Sequence, residues 1–139
     1  MKNNKGFTLF EIMIALFVLS VGLLGLAGLQ MSGLKNNHSA HFRTQATLHA
    51  YGILDRMRVN RAVAIAGGYD IALASPPPTG SGLANTDRKD WLDSLVAALP
   101  AGDGAIATSG GVTTVTVQWD DSRGSAGSST QTFTVSTIL

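Results

Sequence analysis

The sequence predicts an α+β fold, with one long N-terminal helix packed on a small antiparallel β-sheet and one extra short helix. The first half of the long helix is expected to span a membrane. Three observations predict this. Residues 12–34 are 23 consecutive uncharged positions. No proline interrupts the chain before Pro76, and apolar residues recur at three-or-four spacing along it. Beyond Ala105 the pattern changes to period two, rich in Thr and Val.

Composition bounds the function before any motif is read. The chain has 139 residues, enough for one domain of ordinary size. Charged residues make up 14%, well below the usual quarter or so, and the formal net charge is +1. That balance argues against a nucleic-acid-coating protein and against a charged disordered tail. There is no cysteine, which excludes disulfides, thiolate metal sites, a cysteine nucleophile and a lipidated cysteine.

The apolar run reads IMIALFVLSVGLLGLAGLQMSGL. At about 1.5 Å rise per residue it reaches roughly 35 Å, enough for a hydrocarbon core of about 30 Å. Apolar side chains surround this helix instead of lining one stripe, as lipid or a bundle requires. Lys2 and Lys5 precede it, so residues 1–6 are expected in the cytoplasm and the head outside it. A cleaved signal peptide would have a shorter apolar region of about 7–15 residues. A lipoprotein would need cysteine where Leu29 follows Leu26-Ala27-Gly28. Glu11, the only glutamate, is the exception in this region. A carboxylate costs about 2.5–3.5 kcal/mol at the centre of a membrane helix and less near the interface. Its natural partner is a cation at the same depth, from another chain or a newly exposed amine; the bland reading is a carboxylate at headgroup level.

Lys5-Gly6-Phe7-Thr8-Leu9-Phe10-Glu11 closely resembles the processing site of the type IV pilin family. The features that coincide are a short basic leader, its terminal Gly, Phe, Glu at the right spacing, and a long apolar helix. The resemblance implies a pilin-like fold, cleavage between Gly6 and Phe7 by a prepilin peptidase, and N-methylation of Phe7 by the same peptidase/methylase. Glu11 would neutralise the N-terminal amine of a neighbouring subunit. Glycine at the cut lets a peptidase draw the backbone close. The mature chain would run over residues 7–139. It would carry eight basic and nine acidic residues, a net charge of −1.

Within the family the chain looks most like the minor pilins, on the run from Val21 to Gln30 (VGLLGLAGLQ) and on Arg56-Met57-Arg58-Val59-Asn60-Arg61. Motif-level resemblance covers about the first 60 residues. Major pilins often carry a helix-bending Pro near the position of Gly28; here Gly22, Gly25 and Gly28 stand instead. Each Gly costs about 1 kcal/mol relative to Ala in a helix interior. The three would either soften the helix for passage from membrane to filament or permit close helix packing. The disulfide loop common in related pilins is absent.

Beyond Lys35 an amphipathic continuation is expected over residues 35–66, stopped at Gly67-Gly68. One mixed stripe is His38, Phe42, Gln45, Leu48 or His49, Gly52 and Arg56. The half-buried face is expected to hold Leu48, Tyr51, Leu54 and Met57 or Arg58. Arg43, Arg56, Arg58 and Arg61 invite a nucleic-acid reading, which the acidic mature charge opposes; Asp55 and Arg58 fit a helical ion pair. His38, His41 and His49 lack metal-ligand spacing.

Residues 67–139 form the expected head. Pro76-Pro77-Pro78 opens a stiff loop. A short helix is expected from about Asp87 to Leu99, capped by Thr86 or Asp87, ended by Pro100, with Trp91, Leu92, Leu95, Val96 and Leu99 buried. An aromatic binding site at Trp91 is the functional alternative. Strands are expected at Ala105–Thr108, Val112–Trp119 and Thr130–Ile138, with Val115, Val117 and Trp119 on one face and Phe133 and Val135 on one face. Asp120–Ser129 is expected to be exposed and flexible, and Asp120 and Asp121 lack the alternating spacing of calcium loops.

No catalytic motif, cofactor site or metal site emerges, and no small-molecule substrate is implied. The chain is expected to be a substrate of processing enzymes and no enzyme itself. The leading function is a minor pilin of a bacterial type IV pilus, taking part in assembly. The alternative is a minor pseudopilin of a type II secretion system, which shares leader and helix. Two further classes are a plain membrane-anchored domain and a DNA-receptor subunit. The implied partners are the inner membrane, the prepilin peptidase, other minor pilins and the major pilin. The implied location is the inner membrane as a single-pass precursor with its head in the periplasm, then the pilus surface.

Overall fold

A computed structural model of the chain describes residues 6–124 and 127–139. Lys2 and Lys5 of the leader, and Ser125 and Ala126 of the last connection, lie outside the described residues. The described elements are α1 (Leu9–Val59), α2 (Arg61–Ile65), α3 (Leu83–Ala98), β1 (Asp103–Ser109), β2 (Val112–Trp119) and β3 (Gln131–Ile138). This is the expected α+β architecture, with a long apolar-to-amphipathic helix and a three-stranded antiparallel sheet ordered β1-β2-β3. The chain divides into two units, one ending at Lys35 and one running Asn36–Leu139.

In the first unit every described residue is exposed. Its helix is the one helix among the described residues long and apolar enough to cross a membrane, and none of its apolar window is covered by the rest of the chain. Ser20, a hydroxyl inside this run, donates to the carbonyl of Leu16 at 2.6 Å. It thereby satisfies itself within the helix, as an apolar surrounding requires.

In the second unit α1 buries Phe42, Ala46, Ala50, Ile53, Leu54 and Met57. This differs from the expected stripe. Leu48 and Tyr51 face out, and the fully covered positions between Phe42 and Ile53 are alanines. A stripe chosen by side-chain size misses them, because small residues let a helix backbone approach the core closely. The expected continuation to Ala66 is also broken. Asn60 leaves helical geometry at φ −107°, ψ 43°, and α2 restarts after it. Asn60 also donates its side-chain amide to the Tyr69 hydroxyl at 3.2 Å. The stop at Gly67-Gly68 stands: Gly67 adopts φ 79°, and its N–H donates to the Ala64 carbonyl at 3.0 Å. A side chain at Gly68 would meet the Val63 carbonyl.

α3 begins at Leu83 after Gly82, four residues before the expected start. Thr86 and Asp87 are therefore not its caps. Thr86 donates to the Gly82 carbonyl at 3.2 Å, and Asp87 is a buried carboxylate that accepts the Tyr69 hydroxyl at 2.6 Å. Arg56 lies 3.6 Å from the other oxygen of Asp87. The helix ends because Leu99 is extended at φ −128°, ψ 137°, the conformation that a following proline imposes. Trp91, Leu92, Leu95 and Leu99 are buried as expected, but Val96 is 68% exposed.

β2 has the expected bounds, β3 starts one residue later than expected, and β1 is longer at both ends. Gly110 (φ 58°) and Gly111 (φ 81°) join β1 to β2, the left-handed pair that a type I′ hairpin turn needs. Thr113, Val115, Val117 and Trp119 point to the core from β2, with Ile106 from β1. Gly104 is required beneath Trp91, whose ring occupies the place a side chain would take. Helices and sheet thus share one core, against which Phe133 and Val135 of β3 are half-buried. Asp121 corrects the expectation of an exposed connection: it is buried and accepts the Ser39 hydroxyl.

Candidate functional site: the start of the long helix

Gly6, Phe7 and Thr8 precede the helix and are exposed. Thr8 is the residue at which helical geometry begins. Its carbonyl accepts the N–H of Ile12 at 3.3 Å, the first helical bond of α1. Its hydroxyl accepts the N–H of Glu11 at 3.3 Å. Glu11 reaches back, with Oε2 accepting the Thr8 N–H at 2.9 Å and the Thr8 hydroxyl at 3.1 Å. This is a reciprocal capping box, in which a threonine and a glutamate three residues later satisfy each other's orphan donors. The negative charge in the first turn also complements the positive end of the helix. Glu11 Oε1 has no partner among the described residues.

Two consequences follow for chemistry. The helix starts two residues after the Gly6–Phe7 peptide bond, so that bond lies in backbone outside the hydrogen-bonded helix. Glu11 also bonds its carboxylate to the backbone nitrogen of Thr8, the residue that follows Phe7. The Thr-x-x-Glu spacing was readable in the sequence as a capping box; an assembly role for Glu11 takes no account of this intrachain bonding.

Gly22, Gly25 and Gly28 all lie within continuous α1, and a side chain at any of them would meet open space. Among the described residues, nothing beyond the helix's own neighbouring backbone lies within 4 Å of the place a Cβ would take. The structure brings Gly6, Phe7 and Glu11 into one short segment and places the three glycines about three to five turns beyond Glu11 along the same helix.

In the second unit the other candidates separate. Arg58 pairs with Asp55 at 2.6 Å, as the spacing suggested. Arg56 approaches Asp87, and Arg61 donates to the carbonyl of Leu139 at 2.8 Å. Of the four arginines that suggested nucleic acid, these three have partners within the chain. Trp91 is a core residue, 3% exposed, and its indole N–H donates to the His49 carbonyl at 3.0 Å; a binding role for its ring is overturned. His49 Nδ1 lies 3.2 Å from the Ser94 hydroxyl, and burial lowers its pKa. His38 stacks at a tilt on Phe42, with ring centroids 4.4 Å apart. Among the described residues no three potential ligands gather for a metal. Asp120 and Asp121 diverge: Asp120 accepts the Ser122 N–H at 2.8 Å, which lowers its pKa, while Asp121 turns inward to Ser39. Tyr69 has its pKa raised by burial and by its bond to Asp87.

Residues 1–27 match the family model described as Prokaryotic N-terminal methylation motif. No curated protein matches the chain, and no solved structure does. The match defines a class for this end of the molecule: a type IV pilin-like leader on a helix of membrane-spanning length. Such an N-terminus points to a structural rather than a catalytic protein.

Proposed function

We propose that the chain is the precursor of a minor pilin of a bacterial type IV pilus, of the PilV kind. Prepilin peptidase removes residues 1–6 at the Gly6–Phe7 bond and methylates the Phe7 amine. The precursor sits in the inner membrane with its head in the periplasm and passes from there into the pilus. In the filament it helps to start or adjust the packing of the major pilin and the other minor pilins, and so supports surface pili and twitching motility. Glu11 exchanges its bond with Thr8 for the methylated amine of a neighbouring subunit at the same depth. Gly22, Gly25 and Gly28 provide the soft or closely packed stretch of the stem.

The observation that carries this reading is the coincidence at one end of the chain. The methylation-motif match, a Gly6–Phe7 bond that lies before the first helical turn, and a carboxylate at the head of an uncovered apolar stretch fall together at this end of the chain. The run from Val21 to Gln30 favours the pilus over the type II secretion pseudopilus. Deleting the gene tests the choice: loss of surface pili with normal secretion is expected, and loss of secretion with normal pili would reverse it. Glu11→Ala is expected to permit membrane insertion and to reduce incorporation into filaments. Normal incorporation would remove the amine pairing from the account.

A further inference from the structure

A cavity in the head is lined by both signs of charge. Its volume is about 120 Å³, and its walls are His38, Phe42, Pro100, Asp120, Asp121 and Arg123. All six residues lie in the second unit. Two of them, Phe42 and Asp121, are buried, so the cavity reaches the edge of the core.

Its acidic wall lacks a cation. Asp121 is 3% exposed and accepts the Ser39 hydroxyl, a neutral donor. Asp120 accepts the Ser122 N–H at 2.8 Å. The ion pairs of the described residues are Arg56–Asp87, Arg58–Asp55 and Lys89–Asp93. Neither Asp120 nor Asp121 takes part in one, and Arg123 does not either. Buried carboxylates ordinarily meet a cation or a metal. A metal suits this place poorly, because no three potential ligands gather among the described residues. An organic cation suits it better: the His38 and Phe42 rings stand together with centroids 4.4 Å apart, and an aromatic face attracts such a group. Two carboxylates also call for N–H donors, which a primary ammonium has and a quaternary one lacks. Arg123 adds the charge that a phosphate needs.

The sequence limits where that pair of charges comes from. His38 stands four residues after Leu34, the last residue of the uncharged run. Even a fully extended chain covers only about 14 Å in four residues. The headgroup layers add about 5–8 Å to each side of the hydrocarbon core. With the run in a membrane, the His38 wall stays close to the headgroups whatever path the chain takes.

We propose that this cavity binds the phosphoethanolamine headgroup of a membrane lipid, with its ammonium at Asp120, Asp121 and the Phe42 ring and its phosphate at Arg123; this rests on the membrane insertion proposed above. A lysine from another subunit would offer the ammonium alone and leave Arg123 unmatched. Soluble phosphoethanolamine has the same chemistry but lacks the advantage of being held beside His38.

The test uses the full chain in nanodiscs of phosphatidylcholine that carry small, equal shares of phosphatidylethanolamine and phosphatidylglycerol. Native mass spectrometry of the released chain should show phosphatidylethanolamine retained about tenfold over either other lipid, relative to abundance. Asp120→Asn should keep the wild-type fluorescence of Trp91 and Trp119 and lose most of that preference. A photoreactive benzoylphenylalanine at His38 leaves both carboxylates and Arg123 in place and covers the case in which Asp120→Asn fails to fold. It should form adducts with phosphatidylethanolamine. Equal retention of the three lipids by inserted chain would overturn the proposal, as would wild-type preference in a folded Asp120→Asn. Adducts only with another protein subunit would overturn it in favour of a lysine, and displacement of the lipid by equimolar O-phosphoethanolamine would overturn it in favour of a soluble ligand. A chain that does not insert into nanodiscs at all would overturn the membrane reading itself, and this proposal with it.

Discussion

The two units of this molecule put similar side chains to opposite uses. In the unit ending at Lys35, Leu, Ile, Val and Phe side chains are all exposed, with Leu24 at 73%. In the unit from Asn36 onward, Leu54, Leu95, Ile53 and Ile106 are essentially covered. Burial of a Leu or Ile side chain contributes about 1.5–3 kcal/mol. The second unit draws that contribution from its own chain. The first draws none of it from the described residues of its own chain. One sequence thus encodes a self-sufficient core and an apolar rod that is incomplete alone.

That difference can be broken by making one substitution in each region. Leu95→Ala is expected to destabilise the head by about 2–5 kcal/mol, because a covered Leu leaves a cavity. Leu24→Ala should change the same unfolding transition by less than about 0.5 kcal/mol. Urea unfolding of the full chain in detergent, followed by Trp91 and Trp119 fluorescence, measures both. Equal losses would contradict the difference in burial between Leu95 and Leu24.

A smaller effect is expected at the junction of α1, Tyr69 and α3. Tyr69→Phe removes the hydroxyl that serves Asp87 and Asn60 and should cost about 1–3 kcal/mol, since a buried carboxylate loses a donor. This bond also has a pH signature. The Tyr69 pKa is raised in the folded chain, so its contribution is complete below the unfolded value of about 10 and is lost as pH rises above it. The Tyr69→Phe variant should lack that part of the alkaline decline; an unchanged decline would assign it to other groups.

Next in size is the capping box. Thr8→Ala should cost about 1 kcal/mol of local helix stability. Amide hydrogen exchange in detergent should quicken over the first turn of α1 and stay unchanged in the sheet. The smallest effect concerns His49, whose pKa burial lowers. Stability should be complete above the unfolded value of about 6.5 and decline as pH falls through it, because the unfolded chain protonates first. His49→Gln should flatten that acid slope slightly.

The parts of the fold legible in the sequence were those with a local cause. Alternation between Gly110-Gly111 and Asp120 fixed β2, and Pro100 forced Leu99 out of the helix. The uncharged run and its basic flank announced the rod. What remained hidden depended on partners distant in sequence. Asn60 breaks the helix without a Pro or Gly to signal it and is bonded to Tyr69. Asp87 read as a helix cap because aspartate is a favoured N-cap residue, yet Tyr69 and Arg56 hold it inside. The stripe of Ala46 and Ala50 was masked by the larger Leu48 and Tyr51. Asp121 is buried by Ser39, 82 residues away, which no spacing rule reaches. At the candidate site the residues were legible by motif, whereas the bonding of Glu11 to Thr8 emerged from the geometry.

The central claim is that the first unit becomes an assembly element when its leader is removed at the Gly6–Phe7 bond before the capping box. Intact-mass analysis of the chain extracted from its native membrane measures this directly. The account predicts a protein of residues 7–139 whose mass includes one added methyl group, located at Phe7 by fragmentation. A chain that retains residues 1–6 in cells with an active prepilin peptidase would contradict it.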